Sequence, residues 1–263
     1  MPSGKQSKRR RAAQTRPPTR TARRASPRVL AVAGTILALA AAAVVVGAAI
    51  SGGESKDTTV PPRGSLTNAL PGAAETQQLL KGIPQSGNVL GKPTAPVTID
   101  EYIDPQCPFC EQFETQAMPS LIERYVRTGK AKVVLRPLAF IGADSERGRA
   151  AMIAAAEQNK MFNVTQLLFL NQGPENSGWL DDGLVASVGA SVPGLDVPRF
   201  LEDRNASSVA DKASAFDGEA STDGVTSTPT ILVGKTGQPA TIVALTTATD
   251  GQAVARAIDA ALR

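Results

Sequence analysis

Histidine is absent from all 263 residues, and cysteine occurs only twice. The missing imidazole excludes Ser-His-Asp and Cys-His nucleophilic catalysis, His-ligated zinc and histidine proton shuttling. Two thiols cannot complete a four-thiolate zinc site, so no metal centre is expected, and no cofactor either. Aromatic residues make up 4% of the chain against 42% hydrophobic residues overall, so Ala, Val, Ile and Leu must fill most of the core. The basic charge is also missing from the part expected to fold. Residues 1–28 hold ten Lys or Arg and no acid, which leaves 18 basic against 24 acidic residues beyond them, a net of −6. A nucleic-acid surface needs basic residues clustered on the fold, so no nucleic-acid partner is expected.

What is present is the pair itself, Cys107-Pro108-Phe109-Cys110. A strand-like stretch precedes it and a helical pattern follows it. A cysteine at a helix N-terminus meets unpaired N–H groups and the positive end of the helix dipole, and both favour thiolate. Cys107 is therefore read as the exposed nucleophile. Cys110, one turn in, is read as the more buried, resolving thiol. Pro108 suits the first turn, where its missing N–H costs little. A purely structural crosslink over so short a loop would contribute only about 2 kcal/mol. Redox exchange is the better use of a chain's entire cysteine content.

The chain divides by composition. After the basic tail 1–28, the stretch from Val29 to Ile50 runs 22 residues without a charge. At about 1.5 Å per residue it spans the hydrocarbon core of a bilayer. It is expected to be a single-pass signal-anchor helix with a cytoplasmic N-terminus and an extracytoplasmic remainder; a cleaved signal peptide is the alternative. Residues 51–86 read as a flexible linker, rich at first in Gly, Ser, Thr and Pro, with a short helix at 73–81. The globular domain is expected at 87–263. Its strands fall near 96–103, 132–136, 230–233 and 241–245. A helix runs over 111–127, kinked or split at Pro119 and stopped by Gly129. A helical block occupies about 145–216, and a last helix 251–262. The order β-α-β, helical block, β-β-α is an α/β thioredoxin-like plan with a helical insertion.

Two further elements stand out. Glu101 lies six residues before Cys107, on the strand that feeds the motif, and alternates with Val97 and Ile99. That phase turns it inward, where burial raises a carboxyl pKa and fits it to accept the Cys110 proton. Thr228-Pro229-Thr230 precedes the apolar run 231–233. Spacing alone leaves open whether Pro229 simply begins the strand or follows a cis bond.

Three segments together carry a family resemblance. They are GKPTAPVTI at 91–99, DPQCPFCEQF at 104–113 and GVTSTPTI at 224–231. In this order they resemble the DsbA-like thioredoxin-fold oxidoreductases of bacteria, in particular membrane-anchored actinobacterial forms. The resemblance implies a cis Pro229 beside the cysteine pair, a Thr228 backbone that pairs with an incoming substrate strand, and a buried acid at Glu101. It also implies oxidation of reduced exported proteins, with a membrane quinone-linked thiol oxidase as partner. Phe109 stands where the best-known oxidase has His, and Thr228 where it has Val, so the potential does not carry over. The alternatives are a disulfide reductase or isomerase on the same scaffold, or a non-catalytic tethered peptide-binding module.

Overall fold

The computed structural model describes residues 60–263. The expected basic tail and the apolar run 29–50 lie outside these residues. Among the described residues, no helix is long and apolar enough to cross a membrane.

The centre of the fold is a parallel pair, β3 (Val97–Ile103) and β4 (Ala131–Pro137), in register from Val97 opposite Ala131 to Ile103 opposite Pro137. Val, Ile, Leu and Tyr dominate these strands and fit a sheet covered on both faces. Such a pair needs a crossover, supplied here by the helical segment 108–126. It begins as α2 (Pro108–Gln112), widens into a π turn (Phe113–Ala117), continues as α3 (Met118–Leu121) and ends in a second π turn (Ile122–Val126). The sequence places a break at Pro119. The structure instead accommodates it at the start of α3, where the missing N–H falls beside a widened turn and the helix continues. Gly129, at φ 75°, ends the segment in the left-handed region as expected.

β5 (Thr230–Lys235) joins the other edge of β3, antiparallel, and β6 (Thr241–Ile242) follows it. A short hairpin, β1 (Gln85–Ser86) and β2 (Val89–Leu90), extends the sheet beyond β4. The strand order is β1-β2-β4-β3-β5-β6. The strand expected at 241–245 stops at Ile242. Beyond it the chain turns toward Asp250, whose carboxylate accepts from the Thr246 hydroxyl at 2.7 Å and caps the C-terminal helix through Ala253 N–H at 3.0 Å.

Five helices form the insertion: α4 (Ala143–Ala156), α5 (Met161–Leu170), α6 (Asp182–Ala190), α7 (Val197–Asp203) and α8 (Ser207–Thr222). It is wider at both ends than the 145–216 read from sequence. α5 is apolar almost all round, and all its residues but Leu170 are buried, so it is the hub of the insertion. α9 (Gly251–Ala261) closes the chain with Val254 and Ile258 turned inward.

The flexible linker expected over 51–86 needs correction for residues 60–86. Gly64 N–H donates to Leu195 O at 2.9 Å, and Ser65 N–H to Ala190 O at 2.8 Å. A Cβ on Gly64 would stand 2.1 Å from Val192 O, so only glycine lets the strap lie this close. A helix, α1 (Ala73–Leu80), and the β1 strand follow. Turn-rich composition looked like slack, but those residues pack through their backbone, which composition does not reveal.

Candidate active site

The loop before the cysteine motif is held by a buried carboxylate. Asp104 is fully enclosed, and Oδ1 accepts from Gln106 N–H at 2.8 Å and Ser145 Oγ at 2.7 Å. Oδ2 accepts from Phe140 N–H at 2.6 Å and Ile141 N–H at 3.1 Å. Four donors compensate the desolvation of this group. The same residue's carbonyl takes the Cys107 N–H at 3.0 Å. From the insertion, Gln172 donates its side-chain amide to Pro105 O at 3.0 Å and Cys107 O at 3.3 Å. Gly148 of α4 allows close approach, because a Cβ there would meet Pro105 at 2.7 Å. The motif loop is therefore clamped between sheet and insertion.

Cys107 is the N-cap residue of α2, with extended φ and ψ, and Pro108 opens the helix. Both sulfurs are free thiols. The N-terminal position of the nucleophile agrees with the sequence reading; its exposure does not. Cys107 retains only 5% of its surface and Cys110 none. The cover comes from 121 residues away in sequence, where the Thr228 carbonyl lies 3.4 Å from the Cys107 sulfur. The Thr228–Pro229 bond is cis. A hydrogen bond from the Cys110 thiol lowers the Cys107 pKa from 9.0 to about 6 against the opposing effect of burial; the Thr228 side chain and the Cys110 and Phe109 N–H groups assist. Cys110 goes the other way: burial pushes its thiol well up, with Cys107 adding to the shift. One thiol is poised as the anion and the other keeps its proton. That asymmetry separates a nucleophile from a resolving thiol.

Glu101 lies on β3 between Leu135 of β4 and Ile231 of β5, 1% exposed. Its inward phase is as expected. Burial raises its pKa well above the carboxylate range, and neighbouring Glu114 raises it further. No hydrogen bond joins Glu101 to Cys110, and neither Glu101 oxygen has a partner.

With this geometry in place, relatives decide the family. The thioredoxin family pattern matches residues 85–250, well over half of the chain. A probable disulfide bond formation protein D of Bacillus cereus is 31% identical over 147 residues, 55% of this chain and 68% of that one. The disulfide bond formation protein D of Bacillus subtilis is 26% identical over 166 residues, 61% of this chain and 72% of its own. The chain belongs to the DsbA-like thioredoxin family. Among solved structures, oxidised BdbD of Bacillus subtilis superposes with a TM-score of 0.59 at 21% identity, over 68% of this chain and 97% of that one. DsbA of Chlamydia trachomatis gives 0.56 at 20% identity, over 66% and 90%. These two likenesses bear on the fold, which is thioredoxin-like with a helical insertion.

This DsbA-like protein is a thiol–disulfide oxidoreductase, and its machinery is the Cys107–Cys110 pair. A cavity of about 220 Å³ adjoins the pair, lined by Phe109, Thr228, Pro229, Leu245, Thr247 and Ala248. Phe109 is 59% exposed, so the motif's aromatic residue forms the rim of that cavity rather than part of the core. Sequence reading missed Leu245, Thr247 and Ala248, which it placed on or just beyond a strand. It also missed Asp104, Gln172 and Glu114. Of these, only Glu114 carried a local signal: it lies four residues past Cys110, on the same helical face.

Proposed function

We propose that this oxidoreductase is a membrane-tethered dithiol oxidase that introduces disulfides into exported proteins outside the cytoplasm. What carries this reading is the placing of Cys107 at the N-cap of α2, 3.4 Å from the Thr228 carbonyl, where its thiol is lowered to about 6 while burial pushes the Cys110 thiol up. Stabilising the thiolate favours the reduced pair, and that makes the disulfide form an oxidant. A substrate thiolate attacks Cys107 of the disulfide form and Cys110 leaves. A second substrate thiol then attacks the mixed disulfide at the substrate sulfur, releasing oxidised substrate and the Cys107 thiolate. Incoming chain would pair with the backbone at Thr228 and lay an apolar side chain against Phe109, Pro229 and Leu245. A quinone-linked thiol oxidase in the membrane would restore the disulfide. The uncharged run 29–50 behind the basic tail 1–28 supports a single-pass anchor with this domain outside. The names of the Bacillus relatives, disulfide bond formation protein D, point the same way.

The deciding measurement is the equilibrium potential of the Cys107–Cys110 pair against glutathione, with its redox state in cells. The oxidase reading expects a value well above that of thioredoxin, about −270 mV, and a pair that is mostly disulfide. A potential near thioredoxin's, with the pair mostly thiol in cells, would overturn it in favour of a reductase.

A further inference from the structure

The groups that hold the Cys107 sulfur as an anion are all neutral: the Cys110 thiol, Thr228, and the Cys110 and Phe109 N–H groups. Neutral dipoles act at short range and only when aligned, and a hydrogen bond weakens steeply once its angle falls below about 120°. The reactivity of Cys107 therefore depends on where its backbone is held, and so on what holds it.

Three residues hold that backbone. At the end of β3, Asp104 O takes the Cys107 N–H at 3.0 Å, and the Glu111 N–H closes the first helical turn on the Cys107 carbonyl at 3.1 Å. The third is Gln172, from the insertion. Its amide group carries two hydrogens, and two carbonyls receive them: Pro105 O at 3.0 Å and Cys107 O at 3.3 Å. Both lone pairs of the Cys107 carbonyl are thereby used. Gln172 is itself placed by rigid structure. It lies just past the C-terminus of α5, the buried hub of the insertion. Its own N–H donates to Phe169 O at 3.2 Å, and the side-chain amide of neighbouring Asn171 donates to Leu167 O at 2.8 Å. A polar group delivered from such a base keeps its aim better than one on a free loop.

Beyond Gln172 the chain returns to the motif a second time. Gln106, immediately before the nucleophile and 0% exposed, accepts from the Asn176 N–H at 2.7 Å. Its amide donates to Ser145 Oγ at 3.1 Å and to Asn176 Oδ1 at 3.4 Å, so each polar atom of this enclosed side chain is committed. Asn176 meets it with φ at 54°, a left-handed backbone that Asn adopts more readily than most residues. Residues 105–107 are thus tied to the insertion at both ends of the loop 172–176.

We infer that Gln172 is a positioning residue for the exchange reaction: it fixes the backbone of Cys107 at the head of α2, and the loop 172–176, latched through Gln106, makes the helical insertion the element that sets the reactivity of the cysteine pair. The inference rests on the thiol–disulfide chemistry of Cys107 and Cys110. The hydrogen bonds of Gln172 go to carbonyls, so it acts through the backbone and handles neither proton nor electron. Its loss strips a donor from two carbonyls of the motif and frees Cys107 to move out of line with the Phe109 and Cys110 N–H groups. Both effects disfavour the thiolate. A less favourable thiolate destabilises the reduced pair, and the disulfide becomes a weaker oxidant.

The test uses the whole chain, with Cys107 titrated by thiolate absorbance and the pair equilibrated against glutathione. Gln172→Leu keeps the bulk and removes both donors. It is expected to raise the Cys107 midpoint by about half a unit to one unit, and to weaken the pair as an oxidant about three- to tenfold in its glutathione equilibrium constant. Gln172→Asn keeps the amide on a shorter stem and is expected to fall between the two. Asn176→Ala, on the exposed part of the loop, is expected to shift both readouts the same way by less. Combined with Gln172→Leu it should add less than its own effect, because both act through one loop. A residue that served folding alone would lower the stability of reduced and oxidised forms equally and leave midpoint and equilibrium constant unmoved; that result would overturn the inference, and strictly additive shifts would overturn the latch. If the unmodified reduced protein formed no mixed disulfide with oxidised glutathione, the exchange chemistry itself would fall. A measurement on the unmodified protein guards against variants that do not fold. The Asn176 N–H is expected to exchange with solvent about tenfold or more slower than that of Glu175 beside it, and equal rates would refute the latch.

Discussion

Replacing Cys110 by Ala tests what holds Cys107 as an anion. The Cys107 thiol titrates at about 6 instead of 9.0, and the hydrogen bond from the Cys110 thiol is its largest support. A hydrogen bond to a charged acceptor contributes about 1.5–3 kcal/mol, which is about one to two pKa units. Cys110→Ala should therefore carry the Cys107 titration to about 7–8. At pH 7 the thiolate share would fall from about nine-tenths to between about a half and a tenth. Cys110→Ser keeps an O–H donor and should retain most of the depression. The assay is thiolate ultraviolet absorbance against pH, checked by the pH dependence of alkylation by iodoacetamide. Because the folded pKa is lowered, alkylation by the unmodified protein should be full at neutral pH and lost as pH falls through about 6. An Ala variant still titrating near 6 would refute the reasoning, and so would a Ser variant displaced as far as Ala. Either result would leave the helix start and Thr228 as the real source of the acidity.

Three other outcomes follow from named contacts. Glu101→Gln should stabilise the fold, with the sign set by linkage: a folded-state pKa raised above the unfolded value makes stability fall as pH climbs past the ordinary carboxylate range. The gain in urea midpoint should be clear at pH 7 and vanish near pH 4; an equal gain at both would contradict the burial argument. Tyr102→Phe removes a 2.6 Å hydrogen bond from the buried ring to Asp223, at the base of the loop that carries Thr228. A loss of about 1.5–3 kcal/mol is expected on chemical denaturation, and no change would mean that Asp223 does not anchor the loop. Gly64→Ala should undock the strap, because its Cβ would sit 2.1 Å from Val192 O. Amide exchange at Gly64 and Ser65 should accelerate, at an overpacking cost of about 1–3 kcal/mol; unchanged protection would show that the strap can shift.

The parts of the molecule legible in advance were those written in short-range pattern. Alternation over 97–103 turned Glu101 inward, and the observed burial follows it as far as Glu101; Tyr102, in the opposite phase, is buried as well. Gly129 ended the crossover helix because a left-handed φ was required there. Pro119 misled, because the penalty against an interior proline assumes regular α turns, and this helix widens on either side of it. The residues at 60–86 misled for a related reason. Composition reports side-chain hydrophobicity, whereas the strap is held by backbone hydrogen bonds and by the space that one glycine leaves free.

The sequence by itself pointed to the chemistry: histidine-dependent nucleophilic catalysis was excluded, and the chain's only two cysteines stood together at a helix start, where thiol exchange is favoured. Tertiary structure alone decided how that chemistry is controlled. It brought the Thr228 carbonyl to 3.4 Å from Cys107, covered the nucleophile to 5% exposure, and set Gln172 of the insertion against the Cys107 carbonyl. These contacts join segments 65 and 121 residues apart. The period of a helix or strand encodes only which face a residue occupies. Which faces then meet depends on how the whole sheet and its insertion close.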